Sequence, residues 1–147
     1  MKAKLITILC VLLSICTYAK ADNDKVIPFN NLPASAQQFI STHFAKSNIS
    51  QVMEESDKNN IKEYKVYFND GCKVEFNNTG EWESIEANKS FVPEKAINPQ
   101  IKGYINKTYP QFKVVSIEKE RKGYDVKLQN GLELKFDSNG NFIKLDK

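Results

Sequence analysis

Two stretches of the chain share one pattern of apolar and polar positions. Residues 64–86 and 124–146 align without a gap at an offset of 60, and upstream of them the offset becomes 65. Turn glycines and apolar residues coincide in this alignment: Gly71 with Gly131, Phe76 with Phe136, Gly80 with Gly140, and Phe39 with Tyr104. The pattern therefore predicts a tandem duplication of one unit of about 60 residues, since so long a match indicates a repeated structure.

Each copy is predicted to begin with a helix and to continue with four strands. Apolar residues recur at helical spacing over 32–44 and 97–109, where Pro33 and Pro99 suit the first turn and Asn98 suits the N-cap. Strict alternation then predicts strands at about 49–54, 64–68, 72–76, 82–87, 114–120, 124–128, 132–136 and 142–146. The connections, such as Asp70-Gly71, are too short for parallel crossovers, so we expect an antiparallel meander.

The alternation also divides the sheet into two faces. One parity is apolar, and we expect it to lie against the helices: Tyr64, Val66, Phe68, Cys72, Val74 and Phe76, with Tyr124, Val126, Leu128, Leu132, Leu134 and Phe136. The other parity is polar, as in an antiparallel sheet with one solvated face. The predicted fold is α+β, a tandem duplication of a helix plus a four-stranded antiparallel meander, with the helices on one face of the sheet.

The first 21 residues have the features of a secretory signal peptide. Two lysines precede the apolar stretch 5–16, which is too short to span a bilayer, and Ala19-Lys20-Ala21 supplies a cleavage pattern. We therefore expect cleavage near Ala21 and a periplasmic or secreted protein. Lipidation at Cys16 is the alternative, and the bulky Ile15 before it speaks against a lipobox.

The exported part is then predicted as two repeats, residues 22–90 and 91–147, packed as one globular unit. Each repeat alone is marginal in size, and the cysteine left after cleavage, Cys72, has no intramolecular disulfide partner. Three of the 21 basic residues and none of the 18 acidic residues lie in the leader, so the remainder has no net charge. This balance argues against a nucleic-acid partner.

The sequence offers little catalytic chemistry. His43 is the one histidine, which excludes a site with several His ligands, and no nucleotide-binding or nucleophile-elbow motif is present. Glu54, Glu55 and Asp57 are acidic neighbours without EF-hand spacing, and we interpret them as a solvated hairpin tip. Cys72 falls on the apolar parity, where a thiol acts as a small core side chain. We expect no catalytic residues, no metal, no cofactor and no membrane span.

The order of a signal peptide, two helix-and-hairpin units, Asp70-Gly71 and Asn130-Gly131 turns, and a second glycine turn before an aromatic residue resembles a known family. It is similar to the PepSY-like, β-lactamase-inhibitor-like periplasmic proteins of Bacteroidetes. The resemblance implies an α+β fold of tandem repeats with helices on one side of the sheet. It also implies a periplasmic or secreted location and an inhibitory or protein-binding role, and it transfers no catalytic residue.

The polar face of the sheet is the predicted working surface. Tyr and Trp on a charged surface are typical interface anchors, and parity assigns Trp82 and Phe142 to this face or its border. The candidate partner-binding residues are Lys65, Tyr67, Lys73, Glu75, Trp82, Ser84, Lys127, Lys135 and Phe142. They predict a non-enzymatic envelope module that binds an unidentified protein or peptide, including an enzyme that it inhibits. The alternative is a small-ligand or ion carrier with a pocket between helices and sheet. The sequence leaves the oligomeric state open.

Overall fold

The computed structural model describes residues 24–146, and the predicted leader, its cleavage near Ala21 and Cys16 lie outside them. Two helices are present in the described residues: α1 (Ala34–His43) and α2 (Pro99–Thr108). The strands are β1 (Lys25–Val26), β2 (Ile49–Ser56), β3 (Lys62–Phe68), β4 (Cys72–Phe76), β5 (Trp82–Ala87), β6 (Val114–Glu120), β7 (Gly123–Leu128), β8 (Glu133–Asp137) and β9 (Phe142–Asp146). All eight predicted strands are therefore found, and β1 is an addition.

All nine strands form one antiparallel sheet in chain order, from β1 at one edge to β9 at the other. Hairpin turns join most neighbours, whereas the connection from β1 to β2 contains α1 and the connection from β5 to β6 contains α2. The predicted meander is confirmed, because every strand pairs with its neighbour in the sequence. The α1 helix followed by β2–β5 has the same element order as α2 followed by β6–β9.

The two helices lie on the apolar face of the sheet. Ile40 of α1 and Ile101 of α2 are fully buried against strand residues such as Val66 and Leu134. The predicted division of the faces is confirmed at two matched pairs of neighbours: Val74 and Leu134 have no exposed surface, whereas the side chains of Lys73 and Lys135 are 21% and 31% exposed. Of the twelve predicted core residues, Tyr124 and Leu132 are only partly buried.

Each helix begins against a glycine turn of its own half of the molecule. Asn98 is the N-cap of α2, as predicted, and its Oδ1 accepts a hydrogen bond from the Gln100 N–H at 2.8 Å. Pro33 occupies the N-cap position of α1 rather than its first turn. A Cβ on Gly80 would lie 2.6 Å from the Pro33 Cβ, so this turn needs glycine to approach the helix.

Two bulges change the side on which the last strand of each half presents its aromatic residue. The register shifts between Glu75 and Phe76, so that Trp82 pairs with Phe76. The corresponding shift in the second half makes Phe142 pair with Phe136. Trp82 and Phe142, which parity assigned to the polar face or its border, therefore lie on the helix side instead, because one additional residue in each strand moves them there.

The two halves meet at the pairing of β5 with β6. Ile85 and Ile117 are directly opposite each other at this seam, and neither has exposed surface. The buried apolar residues of both halves form one cluster. Over residues 24–146, neither helix has the length and apolarity needed to cross a membrane.

Candidate binding face

The sheet face opposite the helices, here called the open face, carries two rows of side chains across eight strands. One row crosses the sheet through Met53, Lys65, Glu75, Ser84, Glu118, Asp125, Lys135 and Lys144. The second row crosses it through Gln51, Tyr67, Lys73, Glu86, Ser116, Lys127, Glu133 and Asp146. Seven of the nine predicted site residues lie in these rows, and Trp82 and Phe142 do not.

Ion pairs fix the side chains of the first half of the open face. Lys73 Nζ lies 2.8 Å from Glu75 Oε1 and 3.2 Å from Glu86 Oε2, and Ser84 Oγ donates to Glu75 Oε2 at 3.1 Å. Partial burial acts to lower the pKa of Lys73, but the hydrogen bonds and charges of Glu75 and Glu86 outweigh it and the pKa rises. Both lysines of this half, Lys65 and Lys73, are about four-fifths covered. The side chains of this half are therefore ordered before any partner binds, and its lysines are paired with carboxylates.

Three positions of the second half carry the charge opposite to that of their counterparts in the first half. At the offset of 60, Asp125 stands where the first half has Lys65, and Lys135 stands where it has Glu75. The cross-strand ion pair between these positions is present in both halves with its polarity reversed. Glu133 likewise takes the position of Lys73 and pairs with Lys127 at 3.0 Å.

The second half is also more open than the first. The side chains of Lys127 and Glu133 are 49% and 55% exposed, and a depression of about 250 Å³ lies over them. Its polar lining residues include Ser116, Asp125, Lys135 and Asp146. Charged side chains from four neighbouring strands are thus reachable by a partner at one place.

Glu118 gives the centre of the open face an acidic character. It lies on β6 at the seam, directly opposite Ser84. Partial burial raises its pKa, and so do the nearby carboxylates of Glu120, Asp125 and Glu75. A cation brought by a partner would relieve this repulsion, because an opposite charge within a few ångströms favours the ionised carboxylate.

Tyr67 is the aromatic residue of the two rows. It lies on β3 between Gln51 and Lys73 and is partly exposed. The Tyr67 ring therefore supplies aromatic surface beside the charged Lys73. A partly exposed Tyr among polar neighbours has the composition of an interface anchor.

Trp82 and Phe142 connect the sheet to the helices instead. The Trp82 ring stacks on Phe39 of α1 with centroids 5.8 Å apart, and Lys119 Nζ lies 4.3 Å from its ring centroid. The Phe142 ring stacks on Tyr104 of α2 with centroids 4.6 Å apart. These contacts account for both aromatics as packing residues on the helix side of the sheet.

Cys72 and His43 pack against core and aromatic side chains. Cys72 is buried, and this burial raises the pKa of its thiol to about 12, so it is not a thiolate at neutral pH. The His43 ring lies 4.6 Å from the Phe39 ring. Within residues 24–146, no group of three or more His, Cys, Asp or Glu side chains is arranged to hold a metal ion.

The acidic neighbours in the β2–β3 hairpin point to different partners. Glu54 pairs with Lys25 at 3.0 Å, and Glu55 pairs with Lys65 at 2.7 Å. Asp57 accepts hydrogen bonds from the N–H groups of its own turn. The three carboxylates therefore do not converge on a common point.

Comparison with known proteins identifies the family. The family model described as "Putative beta-lactamase-inhibitor-like, PepSY-like" matches residues 62–144. No curated protein matches the chain.

Solved structures from Bacteroides are similar over most of the chain. A "putative periplasmic protein from DUF2874 family" of Bacteroides vulgatus is 40% identical, with a TM-score of 0.76, covering 86% of this chain and 99% of its own. A "putative calcium-regulated periplasmic protein" of Bacteroides thetaiotaomicron is 42% identical, with a TM-score of 0.77, covering 84% of this chain and 97% of its own. On this likeness in sequence and fold, the chain belongs to the PepSY-like, beta-lactamase-inhibitor-like family.

Proposed function

We propose that this protein is a non-enzymatic module of the bacterial envelope that binds another protein through its open face. The observation that carries the proposal is the open face itself: eight neighbouring strands present two ordered polar rows that neither helix covers. The periplasmic description of the similar Bacteroides proteins supports an envelope location. Where the partner is an enzyme, binding inhibits it by covering its active site, without a covalent step.

The dimensions of the open face suit a protein partner. Strands lie about 4.8 Å apart, so eight strands extend over roughly 35 Å. A standard interface buries about 800 Å² on each partner, which a face of this width can supply. The ion pairs of the first half hold long side chains in place before binding, and this reduces the entropy lost on association.

The two halves of the open face would contribute differently. In the first half, Tyr67 supplies an aromatic anchor beside the fixed Lys73. In the second half, the depression over Lys127 and Glu133 admits a protruding side chain of the partner. Glu118, at the seam, favours a basic residue on the partner.

We also infer that the two halves arose by tandem duplication. The gapless match of residues 64–86 with 124–146 supports this origin, and so do the equivalent registers of β4–β5 and β8–β9. The charge reversal between the halves then represents divergence under the constraint that cross-strand partners stay opposite in sign.

The alternative of a small-ligand or ion carrier receives less support. A cavity between α2 and the sheet, lined by Ile97, Ile105 and Phe112, measures only about 20 Å³, which is enough for about one water molecule. The description "calcium-regulated" belongs to a similar protein. The carboxylates of Glu54 and Glu55 are already engaged by lysines in this chain.

The test is capture of a partner from envelope extract with the immobilised protein, followed by affinity measurement with the identified partner. Tyr67→Ala and Lys127→Glu should each weaken binding by roughly tenfold or more, because each removes a side chain that one half of the face presents to the partner. Lys107→Glu on α2 is the matched control: it makes the same charge change on the helix side and should leave affinity unchanged.

Two outcomes decide the assignment. Retained affinity in both open-face variants, with folding verified by circular dichroism, contradicts the proposed surface. If the captured partner is an enzyme, its activity should fall in proportion to the fraction bound, and full activity in the saturated complex contradicts the inhibitory role.

A further inference from the structure

The two edges of the sheet differ in the strand that forms them. At the first edge, β1 covers β2, and the Ile27 N–H donates to the Val52 carbonyl at 3.0 Å. At the other edge, β9 pairs with β8 and has no second strand beside it within residues 24–146. A strand edge of this kind presents unpaired main-chain N–H and C=O groups, which favour addition of another strand.

We propose that two copies of this chain associate by antiparallel pairing of β9 with β9 around a two-fold axis at Leu145. In this arrangement Leu145 lies opposite the Leu145 of the second copy, and Lys144 lies opposite its Asp146. The pairing joins the two sheets edge to edge through main-chain groups of β9, and it shares only Lys144 and Asp146, at the β9 end of the two rows, with the open face used for the proposed function.

Strand β5 shows which neighbour such an edge accepts. Positions 84, 85 and 86 of β5 pair with the preceding strand in the same register as positions 144, 145 and 146 of β9. On its other side, β5 uses these same three positions to pair with β6 in antiparallel orientation. The free side of β9 therefore has the backbone arrangement that holds an antiparallel strand elsewhere in this sheet.

Charge selects a second copy as the occupant. Lys144 and Asp146 are of opposite sign and lie two residues apart on the open-face side of β9. An antiparallel pairing centred on Leu145 places each Lys144 opposite the Asp146 of the other copy, giving two ion pairs in one short strand pair. Opposite charges directly across a strand pair are stabilising, and like charges are destabilising.

Apolar surface is present at the same edge. Phe142 and Ile143 are 37% and 58% exposed, and Leu145 is partly buried. In the proposed register, Leu145 meets its own copy on the helix side of the extended sheet. A C2 contact requires such a self-complementary patch, because each residue contacts its counterpart in reverse order.

Sedimentation equilibrium of the purified protein, expressed from the full chain, tests this pairing. We expect a dimer at high concentration and a monomer on dilution. Lys144→Asp and Asp146→Lys should each raise the dimer dissociation constant by roughly tenfold, because each places like charges across the two-fold axis. The double variant Lys144→Asp/Asp146→Lys restores opposite signs and should regain the dissociation constant of the original protein.

Lys58→Asp, in the exposed β2–β3 turn, makes the same charge change away from the edge and should leave association unaffected. Circular dichroism verifies that every variant is folded. A protein that stays monomeric up to about 1 mM, where even weak pairs associate, overturns the proposal. A dimer that the single variants do not weaken, or that the double variant does not restore, overturns it equally.

Discussion

At the scale of single residues, two glycines show how the same backbone conformation serves different purposes. Gly80 and Gly131 both have a left-handed φ, of +81° and +87°. A Cβ at Gly80 would clash with Ser35 Oγ and would lie 2.6 Å from the Pro33 Cβ, whereas a Cβ at Gly131 would have no heavy atom within 4 Å. An alanine would therefore strain the backbone at both positions, but it would meet neighbouring atoms only at Gly80.

We predict that alanine is far more harmful at Gly80 than at Gly131. Gly131→Ala should lower the free energy of unfolding by about 1–2 kcal/mol, the strain of a left-handed alanine. Gly80→Ala should cost at least about 1–3 kcal/mol more, because the added methyl group separates the turn from α1. Urea denaturation of both variants measures this difference, and equal losses would contradict the docking of the turn on the helix.

The residue scale also shows where sequence reasoning succeeds and where it fails. Alternation predicted the buried Val74 and Leu134 correctly, because period-two patterning directly reflects the pleat. It failed at Trp82 and Phe142, because a bulge inserts one residue and inverts the parity of what precedes it. In both halves an aromatic residue stands two positions after the turn glycine, after Gly80 and after Gly140. This repetition was a signal that both strands depart from strict alternation at that point.

At the scale of elements, β1 is a two-residue strand that pairs with β2 through the main chain and through the Glu54 carboxylate. Glu54 is buried and pairs with Lys25 at 3.0 Å and with Lys62 at 3.3 Å. The hydrogen bond from Lys25 lowers the pKa of Glu54 below its ordinary value of 4.5; burial opposes this shift, and Lys62 adds to it. A lowered carboxylate pKa stabilises the folded form above the ordinary value, and this contribution is lost as pH falls through the folded pKa.

We predict that β1 loosens in acid before the rest of the sheet. The protection factor of the Ile27 amide, which donates to Val52, should fall below about pH 4, by up to about tenfold for each unit of pKa lowering. Glu54→Gln should have low protection at every pH, because an amide cannot make the same ion pairs. Hydrogen exchange by NMR measures both, and a pH-independent protection factor in the original protein would contradict the role of Glu54.

The elements were predictable to different degrees for physical reasons. Strands β4, β5, β6 and β9 have the predicted bounds, and at β4 the turns at Gly71 and Gly80 mark both ends. The strand β1 was missed, because Lys25–Val26 is too short to show any alternation. It exists because tertiary contacts, through Ile27 and Glu54, attach it to the sheet.

At the scale of the whole molecule, the halves share a seam whose centre is fully buried. Ile85 and Ile117 face each other there with no exposed surface. Each half is small enough that burial of this seam is a substantial part of its stability. We therefore expect the described part of the chain to unfold as one unit.

We predict that Ile117→Ala lowers the stability of both halves by the same amount, about 2–4 kcal/mol. Backbone amides of β3 and β8, followed by NMR during urea denaturation, should lose their native signals at one shared midpoint. Ile61→Ala, at an exposed position between β2 and β3, is the control and should change stability by about 0.5 kcal/mol or less. Separate midpoints for β3 and β8 would contradict a single cooperative unit.

The candidate site was predictable in position and less so in its character. The sequence located seven of the open-face residues, because a polar face follows directly from the alternation. It did not indicate the ion-pair network around Lys73 or the depression over Lys127, since these depend on strand register and on side-chain reach across three strands. Partner identity is not encoded in such a pattern, because many proteins match a mixed-charge surface.

The strictly sequential order of the sheet has a consequence for how the chain is made. A strand emerging from the ribosome or from a translocation pore finds its only upstream neighbour already present, so the sheet can grow by one strand at a time. The exceptions are β2, which follows α1, and β6, which follows α2, because each must wait until its helix has emerged. Assembly should therefore pause twice, and during the second pause, after β5, Ile85 has no neighbour on the side where β6 will pair.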